Sequence, residues 1–273
     1  MSAAHASHAD EQPALLLHLT DTHLLDEPHA EMLGVDTEAS LKAVLRQAMR
    51  ETPGAQVLLA TGDLAQDGSR AAYARLRGVL GPVASAVRCL PGNHDDPAAM
   101  HAVLPDWTTP ITDVGAWRIV MLDSTVPGSD AGHLDERQLE LLESAAKSAG
   151  DRHVLVALHH NPVQIESGRH DAMMVDNPQA LFQRLADLPQ VRVVLWGHVH
   201  RQFDRRRHHL RLLATPSTCF QFAVHNGRHT LDGAAPGYRW LKLYRDGSLA
   251  TSVRRLNPAT WHALCAAAQP RAA

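Results

Sequence analysis

Six short runs dense in Val, Leu and Ile most constrain how this chain can fold. They lie at 14–19 (ALLLHL), 56–60 (QVLLA), 86–90 (AVRCL), 117–122 (WRIVML), 153–158 (HVLVAL) and 191–196 (VRVVLW). Near-continuous apolar runs of this length suit strands covered on both faces. The spacing between them predicts helices over 36–51, opening on Asp36 or Thr37, over 69–80, opening on Ser69, and over 135–149 and 178–188. Strand–helix alternation of this kind predicts an α/β chain with helices packed on sheets. From about residue 208 the texture changes, and HLRLLAT, CFQFAV, YRWLKLY and LATSVRRL follow as strands without long helices between them. They read as a second, β-rich sheet or as the second half of a two-sheet sandwich.

Composition narrows the class. A net charge of −3 over 273 residues gives no general attraction to nucleic acid or anionic membranes. The one basic run, RRRHH at 205–209, is expected to be a solvated turn. Cys89, Cys219 and Cys265 are few, odd in number and far apart, which argues against a disulfide framework. With no signal-peptide pattern at the start and no apolar run near the ~20 residues of a membrane span, a cytoplasmic protein is expected. Residues 1–13 read as a flexible tail, 14–256 as one domain and 257–273 as a C-terminal helix or tail.

Five of the strand-like runs end in clusters of metal-ligand type. They are Asp21-Thr22-His23, Gly62-Asp63, Gly92-Asn93-His94-Asp95, His159-His160 and Gly197-His198-Val199-His200. In open α/β sheets ligands bind beyond the carboxyl ends of strands. Five such clusters in order point to a metal site, although nineteen histidines make any single one weak evidence. In extended chain His198 and His200 would face one target together.

This series resembles the signature of the calcineurin-like metallophosphoesterases. MLGV (32–35), LLATPSTCFQF (212–222) and TLDGAAPGYRWLKL (230–243) further resemble the bacterial class III 3′,5′-cyclic-AMP phosphodiesterases. The resemblance implies a two-sheet β-sandwich flanked by helices, α/β or α+β by scheme, the metallophosphoesterase fold. It implies two metal ions, iron or manganese with zinc or cobalt as further options, one held by Asp21, His23, Asp63 and His200 and the other by Asp63, Asn93, His159 and His198. A metal-bridging hydroxide would then open cyclic AMP to 5′-AMP. His94 is the implied catalytic proton donor, with Asp67 or Asp95 to orient it, and Asn93, His94 and His200 would contact substrate. The implied partner is a cyclic nucleotide, with neither nucleic acid nor membrane, and the chain would be a monomer or homodimer. Competing expectations are another phosphodiester (a glycerophosphodiester or a 2′,3′-cyclic nucleotide) and a non-catalytic scaffold on the same fold. His18 reads as a core or supporting histidine, His160 as a packing or substrate contact, Asp96 as a helix cap and Asp123 as structural. Cys219 reads as a small buried hydrophobe, and Phe220 or Phe222 is a candidate to stack on a base.

Overall fold

The computed structural model describes residues 12–225 and 228–268. In chain order the elements are β1 (Ala14–Leu19), β2 (Glu31–Met32), β3 (Val35–Asp36), α1 (Thr37–Glu51), β4 (Val57–Thr61), α2 (Arg70–Leu80), β5 (Ala86–Leu90), α3 (Pro97–Val103), β6 (Ile111–Val114), β7 (Trp117–Met121) and α4 (Glu136–Lys147). There follow β8 (His153–Leu158), α5 (Gly168–Ala172), α6 (Pro178–Ala186), β9 (Val191–Trp196), β10 (Phe203–Arg207), β11 (Leu210–Ala214), β12 (Gln221–His225), β13 (Arg228–Asp232), β14 (Gly237–Leu243), β15 (Leu249–Arg255) and α7 (Pro258–Ala268). The expected tail over residues 1–13 falls mostly outside the described residues, as do 269–273; 258–268 form α7.

Two sheets face each other, one in the order β15-β14-β1-β4-β5 and the other in the order β10-β11-β9-β8-β7-β6. Strand periodicity divides the apolar side chains between three layers. Leu16, Leu59, Ile119, Leu155, Val193 and Leu241 fill the space between the sheets. Leu17, Leu58 and Ala60 point outward under Leu41 and Val44 of α1 and Tyr73 and Leu76 of α2. Val154, Val156 and Val194 point outward on the second sheet, under Leu139 and Leu142 of α4 and Leu181 of α6. A strand buried on both faces must be apolar throughout, which is why these runs lack alternation.

The helix starts follow from capping. Asp36 accepts from the Ala39 amide at 2.8 Å, Ser69 from Ala72 at 3.2 Å and Asp135 from Gln138 at 2.9 Å. Asp96 caps α3 through the amides of Ala98 and Ala99, with Pro97 at the first helical position.

Two expectations need correction. The late strands do not form a sheet of their own: β14 and β15 extend the first sheet beside β1, β10 and β11 extend the second beside β9, and β12–β13 stand apart as a hairpin. Local texture shows that a segment is extended but not which edge it joins. The basic run is also not a turn, because Arg205, Arg206 and Arg207 lie in the edge strand β10 and only His208 and His209 turn into β11. Charge on an edge strand discourages pairing with another chain.

Candidate metal centre

The carboxyl ends of β1, β4 and β5 in one sheet meet those of β8 and β9 in the other. Beyond β1 stand Asp21 and His23, beyond β4 Asp63, beyond β5 Asn93 and His94, beyond β8 His159 and His160, and beyond β9 His198 and His200. Backbone bonds tie these loops together: the Asp21 amide donates to Gly62 O at 3.0 Å, His23 to Asp63 O at 2.9 Å and Gly197 to His159 O at 3.2 Å. Gly197 permits the approach of the sheets, since a Cβ there would lie 2.0 Å from Thr20 Oγ1 and 2.9 Å from Thr61 O.

The backbone at the site is unusual. Asp21, His23, Asp63, His198 and His200 all have φ between 45° and 65°. This left-handed region costs a residue with a Cβ roughly 1 kcal/mol or more, and such strain collects where side chains must be aimed. It also overturns the extended reading of Gly197–His200. Left-handed residues do not keep strand alternation, so the two imidazoles diverge. His200 Nε2 lies 3.1 Å from His23 Nε2 and 3.5 Å from Asp21 Oδ1, whereas His198 clusters with His159 and His160.

The seven residues expected as ligands converge. Asp63 lies between the two groups, with Oδ2 3.7 Å from His23 Nε2 and Oδ1 3.4 Å from His159 Nε2. Asn93 Oδ1 lies 3.2 Å from His159 Nε2. The outer nitrogens reveal the tautomers. His159 Nδ1 meets Thr61 O at 2.9 Å and His200 Nδ1 meets Phe220 O at 2.8 Å. A carbonyl only accepts, so each Nδ1 carries its proton and, in the neutral ring, Nε2 turns a lone pair inward. His23 Nδ1 meets Gln66 Oε1 at 2.7 Å, with the same result. Inward lone pairs then face one another and the carboxylates, an arrangement that a cation resolves. Buried His198 Nε2 has no hydrogen-bond partner, as suits a ligand atom. These donors suit a metal centre.

Electrostatics agree. Burial, with the repulsion of His159 and His160, keeps His198 well below the usual imidazole range, and burial lowers His23 to about 4. Burial opposes a charge on His159 too, but the Asp63 and Asp21 carboxylates outweigh it and lift that ring to about 9. Without a cation, a protonated His159 therefore offsets one of the two buried negative charges.

His94 differs from the expectation in one respect. Neither Asp67 nor Asp95 orients it; Gln66 Nε2 donates to His94 Nδ1 at 3.1 Å, so in the neutral ring the proton sits on Nε2. One amide thus holds His23 and His94 at once. Gln66 was missed because it is unremarkable in sequence, although it stands within the GDLAQDG stretch. Asp95 instead clamps the loops, accepting from Gly92 at 2.8 Å, Ala65 at 2.9 Å and Tyr73 Oη at 2.9 Å. Burial and the nearby Asp63 raise it to about 6. Asp67 accepts from the amides of Asp26 and Ser69.

Of the remaining residues, His160 bonds Ser124 Oγ at 2.8 Å beside the His198 ring. His18 is buried between Thr215 and Thr61, supporting rather than joining the centre. Asp123 holds Thr125, and Cys219 is buried beside Ser217. A cavity of 380 Å³ opens on the centre, and both Phe220 and Phe222 line it.

Two facing sheets, with histidines and carboxylates gathered at their strand ends, define the class of protein. Residues 14–202 match the calcineurin-like phosphoesterase model, and the chain belongs to that family of metal-dependent hydrolases. Its relatives include the 3′,5′-cyclic adenosine monophosphate phosphodiesterases CpdA of Pseudomonas aeruginosa, 48% identical over 91% of this chain and 92% of that one, and of Escherichia coli K12, 41% identical over 91% and 92%. Among solved structures a dimetal phosphatase from Danio rerio superposes with a TM-score of 0.60 at 15% identity, covering 90% of this chain and 100% of that one. No helix among the described residues is long and apolar enough to cross a membrane.

Proposed function

We propose that the chain, acting as one domain over 14–256, hydrolyses 3′,5′-cyclic AMP to 5′-AMP. The observation that carries this reading is the 48% identity to a cyclic-AMP phosphodiesterase over nearly the whole of both chains. The convergent ligand set gives it a chemical basis. Asp21, His23, Asp63 and His200 would hold one ion, and Asp63, Asn93, His159 and His198 the other. Mixed oxygen and nitrogen donors without thiolate suit iron or manganese, with zinc or cobalt less favoured. When bound, the pair supplies a hydroxide nucleophile near neutral pH and positive charge opposite the phosphoryl oxygens.

The protein's own groups do the rest. Asn93 and His200 border the cavity and would position the phosphodiester. His94 would give its Nε2 proton to the departing ribose 3′-oxygen, and Gln66 keeps that proton on the correct nitrogen. His23, His159 and His200 are held from behind by Gln66, Thr61 and Phe220, so their rings need not reorganise as charge develops.

The test is product analysis with protein loaded with manganese or iron. 5′-AMP from cyclic AMP, formed faster than products from 2′,3′-cyclic AMP or a glycerophosphodiester, is the expected result. Preference for either of those esters would overturn it.

A further inference from the structure

Only three large apolar side chains are conspicuously exposed among the described residues: Leu33 (53%), Leu231 (50%) and Met49 (40%). The first two line the cavity that ends at the metal centre, while Met49 lies on α1 and does not. Leu33 comes from the turn between β2 and β3 and Leu231 from β13, where it is paired in register with Phe222. Phe222 in turn packs against His200, ring centroids 4.9 Å apart. The cavity is therefore polar at its floor, where the imidazoles are, and apolar at its mouth.

Leu33 is costly where it stands. Met32 pairs with Val35, leaving Leu33 and Gly34 as a two-residue turn with φ of 53° and 77°. Turns with both central residues left-handed favour Asn, Asp or Gly at the first position. Here a leucine is held in that conformation and left half in water. Local stability explains neither choice, but a ligand with an apolar face does.

We infer that Leu33 and Leu231 form a clamp for the nucleobase, gripping its two faces while the cyclic phosphate reaches the metal centre. This rests on the reading under Proposed function and adds to it the basis of substrate selection. Bases offer apolar π-faces that need no hydrogen bonds to be held. Apart from the histidines and ligands of the centre, the charged groups lining the cavity are Asp130 and Arg169. The clamp consequently selects phosphodiesters that bear a base over those that do not, and it treats adenine and guanine alike.

Three variants test this: Leu33→Asn, Leu231→Thr and, as a control, Met49→Gln. Each is assayed on cyclic AMP, cyclic GMP and glycerophosphoethanolamine, a phosphodiester that carries no aromatic ring. Withdrawing half a leucine from apolar contact is expected to raise KM for both cyclic nucleotides roughly fivefold, with a smaller penalty on glycerophosphoethanolamine. Leu33→Asn should keep or raise the melting temperature because Asn suits the turn; a purely structural leucine would show the opposite. Met49→Gln should match the parent on all three substrates. Unchanged KM for cyclic nucleotides in both leucine variants, or equal losses on all substrates, would overturn the clamp. A parent protein that cleaves glycerophosphoethanolamine but neither cyclic nucleotide would instead overturn the functional reading on which the clamp rests.

Discussion

At the scale of single residues, histidines of one type do three jobs, and the atoms behind each ring separate them. His159 and His200 have carbonyls at their backs and, as neutral rings, present lone pairs; His94 has an amide N–H at its back and, as a neutral ring, carries its proton on the other nitrogen. His94→Ala should therefore lower kcat by roughly a hundredfold to a thousandfold while metal content, measured by plasma emission, stays the same. Loss of metal would show that His94 is a ligand instead. His18 is a third case. Burial, and then the charge of Arg239, lowers it to about 3 in the folded chain, whereas an unfolded imidazole titrates near 6.5. Between those values the unfolded chain binds the extra proton, so stability falls as pH drops below 6.5. From pH 7 to 5 the parent should lose about 2 kcal/mol more than His18→Gln, measured by urea unfolding after chelation. Equal losses would contradict a neutral buried ring. The residue types of the candidate centre were legible in sequence because Asp, Asn and His recur after apolar runs. Their aim was not, because it depends on left-handed backbone at Asp21, His23, Asp63, His198 and His200 that no local pattern announces.

At the scale of elements, the apolar runs located the strands well: β1, β5, β8 and β9 lie where the runs lie, and β4 is displaced by one residue. The same signal failed for β2, β3 and α5, which are too short to show a period. Those pieces build much of the cavity's mouth, so sequence periodicity disclosed the catalytic floor better than the walls. Helix α3 was announced only by its cap, Asp96, being too short to show a period of its own. Loop glycines set how close the elements come. Gly197→Ala would force a methyl onto Thr20 and Thr61 and push the end of β9 away from β1. Overpacking of this kind costs about 1–3 kcal/mol, and metal affinity should drop more than tenfold in an equilibrium titration. Gly78→Ala, in α2 with open space around it, should instead raise stability by up to about 1 kcal/mol. If the two behave alike, close approach is not what Gly197 provides.

At the scale of the whole molecule, the centre joins two sheets whose strands come from distant parts of the chain. Asp21 and His200 touch although they stand 179 positions apart in the chain, and Ser217 Oγ donates to Asp21 O at 2.8 Å. An ion bound there cross-links the sandwich and binds the folded state alone, so chelation should lower the melting temperature by about 5–10 °C and manganese should restore it. No shift would mean that the sheets hold together without the ion. The placement of β14 has a further consequence. It flanks β1, which leads into Asp21 and His23, yet it is among the last strands in chain order. While the polypeptide is still emerging from the ribosome, β1 has only β4 beside it. The loop that carries Asp21 and His23 is thereby fixed from both sides only when synthesis is nearly finished.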